Sequence, residues 1–213
     1  MSRVKTLPDL AAHLPAAGLG EYGDVLSDVK DLDEKTILDL ERVLDGFYNE
    51  RWVKTLGSLD EGPLLVRVQG VFIDYANLRA VFRLVTGGRG AVSENIFLEG
   101  GHLLDTATLR EFLTLSPGEI GTRLGNTEYE YAVSDLARGL EKGKSIGTID
   151  QVLDRHLYRT VRYLLAPRAL SPCTLLWYLL VKELEVRNLR MIFKVLHDGV
   201  PVGEIRDFMV TAT

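Results

Sequence analysis

One segment of this chain is written twice, about 110 residues apart, and a chain that repeats itself at that distance builds its fold from equivalent units. Phe72-Ile73-Asp74-Tyr75-Ala76-Asn77-Leu78-Arg79-Ala80-Val81-Phe82-Arg83 returns as Leu184-Glu185-Val186-Arg187-Asn188-Leu189-Arg190-Met191-Ile192-Phe193-Lys194. Asn77/Asn188, Leu78/Leu189, Arg79/Arg190, Phe82/Phe193 and Arg83/Lys194 stand in register. The echo continues upstream in Pro8/Pro117, Leu14/Leu124, Tyr22/Tyr131 and Val43-Leu44-Asp45/Val152-Leu153-Asp154, slipping by a residue or two as small loop insertions allow. Two helical units are expected, 1–96 and 97–213, and function belongs to the repeat rather than to one isolated site.

Helical spacing dominates the chain, and alternating strand patterns bounded by turns are hard to find, so the expected fold class is all-α. Ile37, Leu40, Leu44, Phe47, Tyr48 and Trp52 follow one helical stripe after the candidate cap Asp33. Ile149, Leu153, Leu157, Val161 and Leu164 follow another after Thr148-x-x-Gln151, which makes these the equivalent helices of the two units. Ser116-Pro117-Gly118-Glu119 and Thr127-Glu128-Tyr129-Glu130 have the form of capping boxes. In such a box the hydroxyl accepts an orphan amide of the first turn and the glutamate reaches back to the cap amide, so a helix is expected at each. Ser171-Pro172 starts a helix that nothing stops before Asp198-Gly199, a run of about 27 residues and roughly 40 Å. Its counterpart runs from Pro63 to Thr86, and the apolar content of both predicts that each crosses the centre of its unit. The second unit opens with Phe97 to Leu115, whereas seven residues precede Pro8, so the first unit is expected to lack its opening helix through a removed or lost upstream segment.

Composition excludes several functions. The balance of 25 basic to 30 acidic residues, without a basic tail, does not support nucleic-acid binding. The longest apolar run, Leu175 to Val181, is far shorter than the ~18 residues of a membrane span, so no direct span is expected. Neither a signal peptide nor more than one cysteine is present, which fits a reducing, cytoplasmic setting. Thr86-Gly87-Gly88-Arg89-Gly90 follows a helix and lacks the Gly-Lys-Ser/Thr ending of a phosphate loop, so it reads as a helix terminator. His13, His102, His156 and His197 are isolated, and no metal or other cofactor is expected. Cys173 has no neighbouring base and reads as a packed thiol. Glu183 and Glu185, two apart on a helix, point to different faces and do not converge on a substrate. The polar residues that stand out are the duplicated set, Asp74, Asn77, Arg79 and Arg83 matched by Glu185, Asn188, Arg190 and Lys194, inside apolar helices. They are candidates for inter-helix hydrogen bonds and ion pairs, or for a partner surface. On the first reading Asn188→Ala and Arg190→Ala weaken folding, since an unpaired buried partner costs about 1–3 kcal/mol.

The run Tyr178 to Lys194, followed by Gly199-Val200-Pro201-Val202-Gly203-Glu204-Ile205-Arg206, resembles the C-terminal signature of the C subunit of archaeal and bacterial V/A-type ATPases, a family that includes the d subunit of the vacuolar enzyme. The family carries a K-E-x-E-x-x-N-L-R phrase on a long helix before a glycine turn and an E-I-R segment. Ile73 to Arg79 resembles the I-D-x-x-N-L-R phrase of the preceding repeat, and Leu98-Glu99-Gly100-Gly101 the repeat-opening L-x-G-G. The resemblance implies a non-catalytic rotor subunit of three similar helical units forming a pseudo-threefold funnel. Such a protein seats the D and F shaft subunits on the membrane c-ring, at the cytoplasmic face, and couples ATP turnover to proton or sodium transport. A helical scaffold descended from the same family is the alternative.

Overall fold

The computed structural model describes residues 6–27, 34–87, 96–141, 147–168, 170–199 and 209–211. All regular elements among them are helical: α1 (Leu7–His13), a 3-10 turn (Leu14–Ala17), α2 (Gly20–Ser27), α3 (Glu34–Gly57), α4 (Gly62–Gly87), α5 (Thr106–Phe112), α6 (Pro117–Arg123), α7 (Glu130–Glu141), α8 (Gly147–Leu165) and α9 (Pro172–His197). Local chemistry sets most of these boundaries. Ser116 and Glu119 form the expected capping box, with the Ser116 hydroxyl accepting from the Glu119 amide at 3.3 Å and the Glu119 carboxylate accepting from the Ser116 amide at 2.7 Å. Ser171 caps α9 by accepting from the Cys173 amide at 3.1 Å, and Gly199 takes a φ of 71° just past its end.

One expected cap is displaced. Thr127 does not start a helix; α7 begins at Glu130, because Asn126 turns the chain with a φ of 65° and the Glu130 carboxylate closes that turn on the Asn126 amide at 2.8 Å. The Thr127 hydroxyl is used within the turn instead, donating to the Leu124 carbonyl. The expected cap Asp33, and the glycines Gly88 and Gly90, lie outside the described residues.

The chain gathers into two compact bodies, Met1–Lys54 and Thr55–Thr213. In the first, α1 packs with α2, and Tyr22 of α2 meets Phe47 of α3 edge to face with centroids 5.1 Å apart. In the second, α4 lies in the core, with Leu65, Val68, Val71, Tyr75, Leu78 and Phe82 all buried. α8 packs along it, and α5, α6, α7 and α9 complete the body. The covering side chains are Leu109 and Phe112 of α5, Val133 and Leu136 of α7, and Ile149, Leu153, Val161 and Leu165 of α8, all fully buried. Burial of this kind is the main stabilising term, roughly 1.5–3 kcal/mol for each large apolar side chain removed from water.

Against expectation, α9 does not cross the centre of its unit. Only Cys173, Leu180 and Leu184 are buried along it. Leu175, Leu179, Val186, Leu189, Phe193 and Leu196 point to solvent because no helix among the described residues lies over that side as α8 lies over α4. Cys173 itself is a packed thiol beside Glu61 at 3.4 Å, and burial pushes its pKa up.

Candidate functional site

The duplicated polar residues mark two junctions built to one plan. On α4, Asp74, Asn77 and the small Gly70 share a face, because residues three and four apart stack on a helix. The segment 97–104 lies across that face. Asn77 grips it with two bonds: its Nδ2 donates to the Leu98 carbonyl at 2.9 Å and its Oδ1 accepts from the Leu98 amide at 2.9 Å. Asp74 holds the following turn, accepting from the Leu103 amide at 2.8 Å and the Leu104 amide at 3.4 Å, while the Tyr129 hydroxyl donates to it at 2.5 Å. Glycine is required twice. A methyl group on Gly101 would come within 2.1 Å of the Asp74 carboxylate, and one on Gly70 within 2.9 Å of the His102 amide.

The electrostatics follow from this enclosure. Asp74 is wholly buried, and desolvation raises its pKa above 3.8 against the pull of Tyr129 and the Leu103 and Leu104 amides. Burial first, and then the bond to Asp74, hold the Tyr129 phenol well above its ordinary value. Tyr75, packed edge to face on Tyr129 at 5.4 Å, is pushed by burial up to about 12. All three side chains are spent on packing and hydrogen bonds inside this junction.

Arg79 and Arg83 occupy the side of α4 toward α8. Arg79 pairs with Asp154 at 2.6 Å and Asp150 at 2.9 Å, and Arg83 pairs with Asp150 at 2.6 Å. Arg187 of α9 reaches the other oxygen of Asp154 at 2.9 Å, so this carboxylate ties three helices together. The sequence reading missed Asp150, Asp154, Arg187 and Tyr129. The repeat of Val43-Leu44-Asp45 as Val152-Leu153-Asp154 was the signal that pointed to Asp154.

The second junction is half made. Asn188 donates to the Val210 carbonyl at 2.7 Å, the counterpart of Asn77 on Leu98, but its Oδ1 is buried without a hydrogen-bond donor among the described residues. Glu185, in the register of Asp74, is exposed and among the described residues pairs only with Lys182 of its own helix, at 2.7 Å. Where the 98–104 segment fills the first junction, the second holds an open pocket of about 440 Å³ lined by Val181, Leu184, Glu185, Asn188 and Val210 among others. Arg190 and Lys194 are exposed and have no ion-pair partner among the described residues. Beside them runs an apolar stripe, Leu175, Leu179, Val186, Leu189, Phe193 and Leu196, each between 46% and 66% exposed, interrupted only by Lys182. The spacing alternates four and three, the seam pattern by which one helix receives another.

Among the described residues no helix is long and apolar enough to cross a membrane, and no group of His, Cys, Asp or Glu is placed to hold a metal ion. The architecture defines an all-helical protein whose polar motif residues join secondary-structure elements. Residues 3–208 match the family described as ATP synthase (C/AC39) subunit. The chain belongs to that family. Its relatives include the C subunit of the A-type ATP synthase of Halobacterium salinarum, 27% identical over 84% of this chain and 51% of that protein. The corresponding protein of Methanocaldococcus jannaschii is 25% identical over 99% of this chain and 53% of its own length. That of Haloquadratum walsbyi is 27% identical over 96% and 59%. The chain spans about half the length of these curated relatives. No solved structure matches it.

Proposed function

We propose that this chain acts as a non-catalytic central-stalk subunit of a V/A-type ATPase, seating the D and F shaft on the membrane c-ring at the cytoplasmic face. In this role it transmits torque between ATP turnover and proton or sodium transport, without a cofactor. The observation that carries the reading is the family match over 3–208, shared with proteins named as C subunits of A-type ATP synthases. The geometry supports it: the motif residues on α4 are consumed in packing bonds, which suits a part that must transmit force through rigid helices. The units 1–96 and 97–213 are then successive repeats of a pseudo-threefold funnel. The repeated long helix and its repeated asparagine bond, to Leu98 and to Val210, support that division.

The deciding experiment adds this chain to membranes stripped of their own C subunit and measures ATP-driven ion uptake together with retention of the D/F shaft. Restored uptake with shaft retention supports the role. Failure of the chain to associate with either the c-ring or D/F, under conditions where a full-length relative does, sinks it. The exposed α9 stripe favours a second reading, a helical scaffold for another protein, which predicts binding to neither.

A further inference from the structure

Two exposed faces of this chain are the two halves of one junction that the chain also contains in complete form. In the complete form α4 presents Arg79 and Arg83 beside a stripe of Val68, Val71, Tyr75, Leu78 and Phe82, and α8 answers with Asp150 and Asp154. α9 repeats the first half, with Lys182 in place of Val71, and leaves it open. Its exposed Leu179, Val186, Leu189 and Phe193 stand in the registers of the buried Val68, Tyr75, Leu78 and Phe82, and Arg190 and Lys194 in those of Arg79 and Arg83.

α3 repeats the second half and leaves it open at Asp45 and Tyr48, while Leu44 and Trp52 are half-buried and Leu56 is buried. By the repeated Val-Leu-Asp phrase, Asp45 stands in the register of Asp154 and Tyr48 in that of Leu157. Asp154 and Leu157 are buried, whereas Asp45 is exposed and Tyr48 is 46% exposed. The sequence also places an acidic residue, Glu41, four before Asp45, as Asp150 stands four before Asp154. Among the described residues, Arg190 and Lys194 thus face outward without an acid, and Asp45 faces outward without a base.

We propose that α3 of one copy docks on α9 of a second copy, Asp45 meeting Arg190, in the arrangement by which α8 docks on α4 within a single chain. The alternating four-three spacing on α9 selects a helix running nearly alongside it. The charge pattern selects one with carboxylates, since a basic helix brought to the same seam would be repelled. The contact is head to tail: it uses a different face on each copy, so every copy has one of each to offer. It does not rest on the rotary role.

The test is sedimentation velocity of the full chain over a range of concentrations, with the far-ultraviolet helical signal of each variant as the folding check. The wild type is expected to associate as concentration rises. Arg190→Glu and Asp45→Arg, both at exposed positions, should each raise the dissociation constant at least about tenfold while remaining folded. Mixed one to one, the two variants should form a heterodimer, because Arg190→Glu keeps an intact α3 and Asp45→Arg keeps an intact α9. A wild type that stays monomeric up to its solubility limit overturns the proposal and hands the α9 face to another polypeptide. Variants that associate as the wild type does, or that fail to combine with each other, overturn it as well.

Discussion

α4 and α9 have 26 residues each and share one phrase, yet the first lies in a core and the second lies on a surface. Phe82 is wholly buried and its counterpart Phe193 is 66% exposed. The difference does not come from the helices themselves. It comes from the stretch of chain downstream of each: after α4 come the 98–104 segment, Tyr129 and α8, while after α9 the described chain supplies only Val210 and Thr211 to the matching face. A helix sequence therefore specifies the kind of neighbour it fits, and the rest of the polypeptide decides whether that neighbour is present.

The sharpest way to break this comparison is to truncate both phenylalanines. Phe82→Ala should cost about 3–5 kcal/mol by leaving a core cavity, whereas Phe193→Ala in the monomer should stay within ~0.5 kcal/mol. Urea unfolding at low protein concentration measures both, and equal losses would mean that α9 is covered in solution. The acidic pair comes next. Asp74→Ala strands the Leu103 and Leu104 amides and the Tyr129 hydroxyl and should cost about 3 kcal/mol, while Glu185→Ala removes only an exposed pair worth about 0–1 kcal/mol. The asparagines should differ less. Asn77→Ala loses two bonds and Asn188→Ala one, so losses near ~2 and ~1 kcal/mol are expected by the same unfolding measurement. Arg190→Ala, expected from sequence to weaken folding, should leave monomer stability within ~0.5 kcal/mol, because the side chain is exposed.

The smallest effect is one of pH. Burial raises the Asp74 carboxyl above its unfolded value of 3.8, so the folded state binds more protons than the unfolded state just above that value. Stability contributed by this group is therefore present below pH 3.8 and is lost as pH rises through the folded value. Thermal melting of Asp74→Asn should show a flatter dependence across that window than the wild type, with Glu185→Gln as the control at the exposed counterpart. A wild-type slope unchanged by Asp74→Asn would show that Asp74 does not carry this dependence.

What the sequence made legible was local or repeated. Ser116 with Glu119, Ser171 with Pro172, and the bounds of both long helices depend on residues within a turn or two of each other, so they could be read directly. The duplicated asparagines could be singled out because a polar residue inside an apolar helix needs a partner. The partners themselves were not legible: Asp74 reaches Tyr129 across 55 positions and Arg79 reaches Asp154 across 75, and only the folded path brings them together. The exposure of α9 was equally hidden, since its pattern is that of a buried helix. Thr127 misled because a hydroxyl three residues before a glutamate fits a tight turn as well as a helix cap.

The long reach of Asp74 has a consequence during synthesis. A ribosome adding about 5–20 residues per second needs roughly 3–11 s to travel from residue 74 to residue 129. For that interval α4 has emerged without its lid, and its greasy side is open to chaperones, proteases and neighbouring nascent chains. The face that α9 shows in the finished protein is the one that α4 shows while the protein is being made.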